Sequence, residues 1–206
     1  GVVEKVGLGA AGFKVGDRVA YAMSLGAYSE LRIIGADRLI RLPEDIDDSV
    51  AAAMMLQGMT SQYLLKSSYA VTAEDTILVM AAAGGVGQIL CQWAKHLGAT
   101  VIGCVGSETK AEIARAAGCN HTILYNSEDV AARVLDITNG RGVPVSYDSV
   151  GQATLQASLD SLAPTGTLIS FGNASGPILD LNPGMLAASG SLYLQRPTLA
   201  TYTRNR

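Results

Sequence analysis

The sequence predicts an α/β fold: a doubly wound parallel sheet that follows a shorter β-rich segment. From about residue 54 onward, short apolar runs alternate with helical patterns, which is typical of βαβ units. Apolar residues make up 49% of the 206 residues and charged residues 16%, so the chain can bury a sizeable core. A turn rich in glycine joins the first apolar run of this region to its first helical pattern.

The first strand and helix of the sheet region are the clearest. Residues 76–81 form an apolar run, as expected for a strand that is buried on both faces. In the following helix the apolar residues have offsets of 0, 3, 4, 7, 8 and 11, which place them on one face: Val86, Ile89, Leu90, Trp93, Ala94 and Leu97. Gly98 comes directly after this pattern and is predicted to end the helix.

The same unit then repeats along the chain. Two helices are predicted, each with a serine N-cap and a glycine at its end, from Ser107 to Gly118 and from Ser127 to Gly140. A third helix ends before Gly166 and has an apolar face made of Leu155, Leu159 and Leu162. Strands are expected at residues 100–105, 121–125, 145–150, 167–171 and 191–194.

The first 50 or so residues have a different pattern. Strands are expected at residues 2–6, 18–21 and 28–33, and an Ala- and Met-rich helix at about 45–65. We therefore divide the chain into a β-rich part, residues 1–53, and a sheet domain, residues 54–206. The chain starts at Gly1 without an initiator Met and ends at Arg206 without a closing element, so we expect a fragment of a longer protein.

The turn from Ala81 to Gly87 carries the strongest functional signal. A glycine turn between a strand and a helix is typical of a Rossmann dinucleotide site, where the pyrophosphate lies at the helix N-terminus. In this interpretation Gly84 permits a tight turn, and the bare backbone of Gly84 and Gly85 admits the phosphates. Gly87 lets the helix pack closely against the strand.

Two other kinds of glycine loop are weighed against this one. No Gly-Lys-Ser/Thr follows the glycines, which excludes a P-loop. A methyltransferase loop stays open, although Met80-Ala81-Ala82 lacks the acidic residue that such loops usually carry ahead of their glycines. Ala81 itself departs from the GxGxxG pattern, which has glycine at that position.

The residues after the second strand bear on the choice between NAD and NADP. An NAD site needs an acidic residue there, to accept hydrogen bonds from the ribose hydroxyls. Glu108 lies about 20 residues past the turn, but it equally suits the first turn of a helix capped by Ser107. Lys110 is either a ligand of the NADP 2′-phosphate or an ordinary surface lysine.

Composition argues against several other classes of protein. The net charge is −3 and no Lys/Arg stripe is present, so neither nucleic acid nor an anionic membrane is an expected partner. Residues 76–91, the most apolar window, are too short and too broken by glycine to span a bilayer. His96 and His121 have no second ligand nearby, so no metal site is expected. Three cysteines without metal-like spacing suit a reducing compartment such as the cytoplasm: Cys91, Cys104 and Cys119.

Seven short motifs spread over nearly the whole chain point to one family. They are Gly16-Asp17-Arg18-Val19, Gly26-Ala27-Tyr28, Ala82-Ala83-Gly84-Gly85-Val86-Gly87, Cys91-Gln92-Trp93-Ala94-Lys95, Tyr147-Asp148-Ser149-Val150-Gly151, Ser170-Phe171-Gly172-Asn173 and Gly190-Ser191-Leu192-Tyr193. Together they resemble the zinc-free, zeta-crystallin-like quinone oxidoreductases of the medium-chain dehydrogenase/reductase superfamily. A zinc alcohol dehydrogenase would need four closely spaced cysteines after the Gly16–Val19 motif, and residues 21–26 contain none.

The resemblance implies a particular division of the chain and a particular cofactor. It implies that residues 1–53 are part of a GroES-like catalytic domain and that residues 54–206 are a Rossmann domain that binds NADPH. It implies a 2′-phosphate pocket made of Gly106, Lys110 and Tyr125. The remaining cofactor-binding residues that it implies are Thr60, Ala83, Gly84, Gly85, Val86, Val150, Phe171, Gly172, Asn173, Ser175, Thr198 and Leu199.

The resemblance also implies an activity. Hydride passes from C4 of NADPH to a quinone or a similar conjugated carbonyl, in a homodimer that pairs through an edge strand from Gly190 to Arg196. We assign no catalytic acid or base, because a quinone accepts hydride readily and requires neither a metal nor a strongly perturbed acid. The Asn and Tyr that the family places beside the nicotinamide would precede Gly1. Two alternatives stay open: an enoyl or alkenal reductase of the same superfamily, and a non-catalytic NADPH-binding protein of the crystallin type.

Overall fold

A computed structural model describes residues 1–204 of the chain. The strands are β1 (Val19–Ala20), β2 (Ile40–Arg41), β3 (Thr76–Met80), β4 (Thr100–Val105), β5 (His121–Leu124), β6 (Val143–Asp148), β7 (Leu162–Ser170) and β8 (Tyr193–Gln195). The α-helices are α1 (Asp48–Tyr63), α2 (Gly85–His96), α3 (Glu108–Ala116), α4 (Val130–Ile137), α5 (Leu155–Asp160), α6 (Pro183–Ala188) and α7 (Leu199–Tyr202). A π-helical turn, Leu64–Ser68, extends α1.

The main sheet confirms the predicted α/β class. Its six strands lie in the order β5-β4-β3-β6-β7-β8, and all neighbours are parallel. The chain fills one half of the sheet from β3 outward to β5, then returns to the other side of β3 with β6 and continues outward to β8. This reversal beside β3 makes the sheet doubly wound, and it leaves a crevice at the carboxyl ends of β3 and β6.

The core lies on both faces of this sheet. Successive strand residues point to opposite faces, so Ile77 and Val79 of β3 pack on one side and Leu78 and Met80 on the other. Helices α2 and α3 cover the first face and α4 and α5 the second. The central strand β3 is therefore apolar from Ile77 to Met80, as predicted for a strand buried on both faces.

Predicted boundaries in the first βα units agree closely with the structure. The strand predicted at residues 100–105 is β4 itself, and Ser107 caps α3 by accepting a hydrogen bond from the Lys110 backbone N–H. Gly98 and Gly118 both have positive φ, 91° and 106°, just beyond the ends of α2 and α3. These are the left-handed positions at which glycine ends a helix without strain.

Two predictions in the second half of the sheet were wrong. The N-cap of α4 is Asp129, whose carboxylate accepts from the Ala132 N–H, whereas Ser127 lies in the turn after β5. Both Ser and Asp are common N-cap residues. The choice between them depends on where the turn after β5 ends, and this is not visible in the sequence. Leu162 does not belong to a helix: it begins β7, where it pairs with Val143.

The first 47 residues hold less strand than predicted. Val2 makes a single bridge to Arg18, and the only ladder described in this segment joins β1 to β2. Residues 28–31 form bends and residues 32 and 33 have no regular structure, because no neighbouring strand in residues 1–204 supplies a ladder for them. Strand β2 was not predicted from the sequence. Helix α1 was predicted, and it runs from Asp48 to Tyr63. It therefore crosses the boundary that we place between residues 53 and 54. The division of the chain at that boundary stays a prediction.

Within residues 1–204, no helix has both the length and the apolar character that a membrane span requires.

Candidate functional site

The glycine turn lies at the crevice of the sheet. Strand β3 ends at Met80, and α2 begins at Gly85 with Gly84 as its N-cap. The left-handed residue of the turn is Ala81, with φ of 55°, whereas Gly84 is extended. Gly84 nevertheless closes the tight turn as expected: its N–H donates to the Ala81 carbonyl at 2.8 Å, and a Cβ on Gly84 would lie only 3.1 Å from that oxygen. Ala81 occupies the position where the pattern has glycine, at a conformational cost of about 1 kcal/mol.

Gly87 packs as the sequence predicted. A Cβ at this position would lie 2.5 Å from the Ala81 carbonyl oxygen and 2.7 Å from that of Ala82. Both are backbone atoms, so no rotamer change could relieve the contact. The absence of a side chain at Gly87 thus allows the first turn of α2 to lie directly against the end of β3.

The first turn of α2 exposes unpaired donors. Gln88 is the first helical residue whose N–H is bonded, to the Gly84 carbonyl 2.9 Å away. The N–H groups of Gly85, Val86 and Gly87 precede it and have no partner within the helix. Gly84 and Gly85 are exposed, so an anion can reach these groups and the positive end of the helix dipole.

A second group of predicted residues meets at the ends of β4 and β5. A Cβ on Gly106 would lie 2.7 Å from the Tyr125 hydroxyl, so Gly106 leaves room for that ring. Asn126, which the sequence analysis missed, donates from Nδ2 to the Gly106 carbonyl at 2.8 Å. Lys110 follows in the first turn of α3 and is exposed. The hydroxyl of Tyr125 thus lies beside the bare backbone of Gly106, and Lys110 follows Gly106 by four residues.

Glu108 serves the helix rather than this pocket. Its carboxylate is paired with Arg115 of the same helix. It also lies in the first helical turn, where a negative charge is stabilised by the helix dipole. The ion pair and the helix dipole together account for Glu108 without a cofactor, which favours the local interpretation of this residue.

A buried carboxylate organises the end of β6. Asp148 accepts hydrogen bonds from the N–H groups of Val150 and Gly151, at 2.7 and 3.0 Å, and from two hydroxyls, each at 2.7 Å. The hydroxyls belong to Thr154 and Ser158. In the sequence Asp148 stands out only as part of a motif, because its partners come from the following turn and from α5. The network fixes the position of Val150.

The loop after β7 packs against that turn. The Ser175 N–H and hydroxyl both donate to the Val150 carbonyl, at 2.8 and 2.9 Å. A Cβ on Gly172 would collide with the Ser149 carbonyl oxygen. The structure therefore brings together five of the predicted residues: Val150, Phe171, Gly172, Asn173 and Ser175.

Arg196 ties this loop to the end of the sheet. Its Nη1 donates to the carbonyls of Ser170 and Gly172, at 2.7 and 3.1 Å. Thr198 and Leu199 follow at the start of α7. Arg196 was missed as a site residue, and its proximity to this loop could not be predicted, because β8 reaches the loop only through sheet pairing.

Thr60 is buried on α1, which lies along α2. The next residue, Ser61, donates to the Gln57 carbonyl at 2.9 Å and to the Val86 carbonyl at 3.4 Å. Helix α1 is thus fixed against the first turn of α2. That Thr60 and the other predicted residues contact a cofactor stays a prediction.

The cysteines are core residues. No group of three potential metal ligands occurs within residues 1–204. All three thiols are buried, and burial raises the pKa of Cys104. The hydrogen bond with Cys119, 3.5 Å between sulfur atoms, and then burial raise the pKa of Cys91. Buried thiols of this kind behave as small apolar side chains.

Known proteins are similar to this chain in sequence and in fold. A family model described as zinc-binding dehydrogenase matches residues 85–202. A quinone oxidoreductase of Pseudomonas aeruginosa is 55% identical over 203 residues, which cover 98% of this chain and 62% of that protein. The chain belongs to the quinone oxidoreductase family.

Two further relatives extend the comparison. A 2-haloacrylate reductase of Burkholderia is 50% identical over 211 residues, covering 100% of this chain and 63% of that protein. The crystal structure of Escherichia coli quinone oxidoreductase complexed with NADPH matches with a TM-score of 0.95 and 48% identity, over 98% of this chain and 62% of that one. The chain thus spans less than two thirds of the length of these relatives.

Proposed function

We propose that this chain supplies the cofactor domain of an NADPH-dependent quinone reductase. The observation that carries the proposal is the first turn of α2, where free N–H groups and bare backbone at Gly84 and Gly85 face the crevice of the sheet. These features suit the pyrophosphate of a dinucleotide. The NADPH complex of the E. coli relative supports the same assignment.

The edge formed by Gly106, Lys110 and Tyr125 fits the 2′-phosphate that distinguishes NADPH from NADH. Gly106 carries no side chain to fill the space beside the Tyr125 hydroxyl. Lys110 supplies a positive charge, and no ion pair within residues 1–204 engages it. The nearby acid, Glu108, is paired with Arg115. A phosphate therefore finds a cation and a hydroxyl here, and ribose hydroxyls lack a free carboxylate.

Catalysis in this proposal depends on orientation. When bound, NADPH supplies a hydride from C4 of its nicotinamide, which a quinone accepts readily. The loop held by Arg196 and by the Asp148 network forms the wall at the nicotinamide end, with Thr60 and Thr198 near it. These residues hold the cofactor and limit access of water to the transferring hydride. The reaction proceeds without zinc, and we assign no proton-transferring group to this chain.

Substitution of Lys110 tests the 2′-phosphate pocket. Lys110→Ala is expected to weaken NADPH binding by about 1.5–3 kcal/mol, the contribution of a charge-assisted hydrogen bond. Binding of NADH, which lacks the phosphate, is expected to change little. The measurement is a fluorescence titration of both cofactors, with Lys66→Ala as the control for loss of an exposed lysine elsewhere. Equal losses for both cofactors would remove Lys110 from the pocket.

The activity is tested on the full-length protein with 1,4-benzoquinone. With NADPH, the absorbance of the reduced nicotinamide is expected to fall as the quinone is reduced. With NADH at the same concentration, this fall is expected to be much slower. Binding of NADPH without turnover of any quinone would instead support a non-catalytic NADPH-binding protein.

A second candidate activity is reduction of a conjugated carbon–carbon double bond. The 50% identity to a 2-haloacrylate reductase favours it nearly as much as the 55% identity to a quinone oxidoreductase favours the first. A panel of quinones, enones and 2-haloacrylates separates the two, since the rate constant kcat/KM is expected to be highest for the physiological class.

The assembly and location follow from the same proposal. Strand β8 is at the edge of the sheet, and its free backbone groups can pair with a second copy of the segment from Gly190 to Arg196 in a homodimer. A monomer of the full-length protein at micromolar concentration, measured by light scattering, would contradict this.

We place the protein in the cytoplasm, consistent with its three free thiols.

A further inference from the structure

The side chain of Gln57 occupies the space beside the first residue of α2. A Cβ on Gly85 would lie 2.5 Å from Nε2 of Gln57, 2.7 Å from Cδ and 2.9 Å from Oε1. Gly85 therefore has a second role that the sequence analysis did not foresee. Besides leaving backbone open to the phosphates, it makes room for an amide that reaches over from α1.

The helix that carries this amide is held in place, and the amide itself has no hydrogen-bond partner in residues 1–204. Ser61, one helical turn after Gln57, fixes α1 to α2 through its bonds to the Gln57 and Val86 carbonyls. Gln57 is half-buried, and within residues 1–204 neither atom of its side-chain amide makes a hydrogen bond. Neither amide atom is among the buried polar atoms that lack a partner in residues 1–204, so both are accessible and the donor is available to a ligand.

We propose that the Gln57 amide donates a hydrogen bond from Nε2 to the pyrophosphate of the cofactor. The inference rests on the proposed NADPH site and adds a side-chain contact to it. In a Rossmann site the phosphates approach the N–H groups at the helix N-terminus, here those of Gly85 and Val86. Nε2 of Gln57 lies beside Gly85, 2.5 Å from the position that a Cβ on Gly85 would take. From α1, Nε2 adds a neutral donor beside the backbone N–H groups at the start of α2. A hydrogen bond to an anionic oxygen is stronger than one between neutral groups.

The test uses variants that change the amide and keep its shape. Gln57→Met removes the donor and preserves the unbranched side chain, and Gln57→Glu places a carboxylate beside the phosphates. Three ligands are titrated into the full-length protein: NADPH, 2′-phospho-ADP-ribose, which keeps the pyrophosphate and lacks nicotinamide, and 2′-AMP, which lacks the pyrophosphate. Gln92→Met, on an exposed position of α2, is the matched control.

The Kd of Gln57→Met for NADPH and for 2′-phospho-ADP-ribose is expected to rise about tenfold. Gln57→Glu is expected to raise both further, because a like charge repels the phosphates. The Kd for 2′-AMP is expected to stay within about twofold of the wild-type value, which also shows that the domain is folded.

Three results would overturn the inference. Gln57→Met could bind all three ligands as the wild type does, which would make Gln57 a packing residue only. It could lose affinity for 2′-AMP equally, which would indicate general damage to the domain. It could weaken NADPH alone, which would move the contact to the nicotinamide half. A wild-type protein that fails to bind NADPH would instead contradict the proposed function itself.

Discussion

Gly87→Ala is expected to lower the free energy of unfolding by about 1–3 kcal/mol and to reduce NADPH binding at the same turn. The added Cβ would meet the Ala81 and Ala82 carbonyl oxygens at 2.5 and 2.7 Å. Because both are backbone atoms, α2 must shift away from β3 to admit it. That shift moves the N–H groups of Gly85 and Val86, which are the proposed phosphate ligands.

The measurement is a urea unfolding curve together with an NADPH titration. Gly58→Ala is the matched control: it lies inside α1, and its Cβ would meet only Met54 Cε at 3.5 Å. There alanine is expected to stabilise the protein by about 0.5–1 kcal/mol, as in an ordinary helix interior. If both variants unfold at the same urea concentration as the wild type, the close packing of Gly87 is contradicted.

Asp148→Ala is expected to cost about 3–5 kcal/mol of unfolding free energy, the largest stability effect that we predict. The substitution leaves two buried hydroxyls and two backbone N–H groups without their common acceptor. Asp148→Asn retains one acceptor oxygen, so its loss is expected to be smaller, about 1–3 kcal/mol.

The measurement is the midpoint of urea unfolding, which is expected to be highest for the wild type, lower for Asp148→Asn and lowest for Asp148→Ala. Asp160→Ala removes an exposed carboxylate at the end of α5, whose only hydrogen bond described is from Gln156, and is expected to change stability by less than about 0.5 kcal/mol. A tolerated Asp148→Ala would mean that the turn from Ser149 to Gly151 holds its shape without the carboxylate. The proposed position of Val150 along the cofactor would then lose its physical basis.

The parts of the fold that could be predicted are those set by local pattern. Strand β4 was predicted to the residue because an apolar run ends at a glycine and a serine cap, and α2 because six apolar residues share one face. Leu162 was misplaced because its spacing from Leu159 suits a helix, whereas pairing with Val143 draws it into β7. Residues 28–33 have a strand-like pattern, but a strand forms only where a neighbour supplies hydrogen bonds.

The candidate site divides in the same way. The glycine turn and the cap of α3 were visible in the sequence, since each is a short contiguous motif. Asn126, Arg196 and the partners of Asp148 were not, because their contacts join loops that are distant along the chain. Gln57 lies 28 positions before Gly85, and only the packing of α1 on α2 brings its amide to the turn.

The proposed function depends most on NADPH being bound at this turn in preference to NADH. Its direct test is calorimetric titration of the full-length protein with each cofactor. We expect NADPH to bind at least about tenfold more tightly, since the 2′-phosphate gains the charge of Lys110 and the hydroxyl of Tyr125. Equal or tighter binding of NADH, or no binding of either cofactor, would contradict the account.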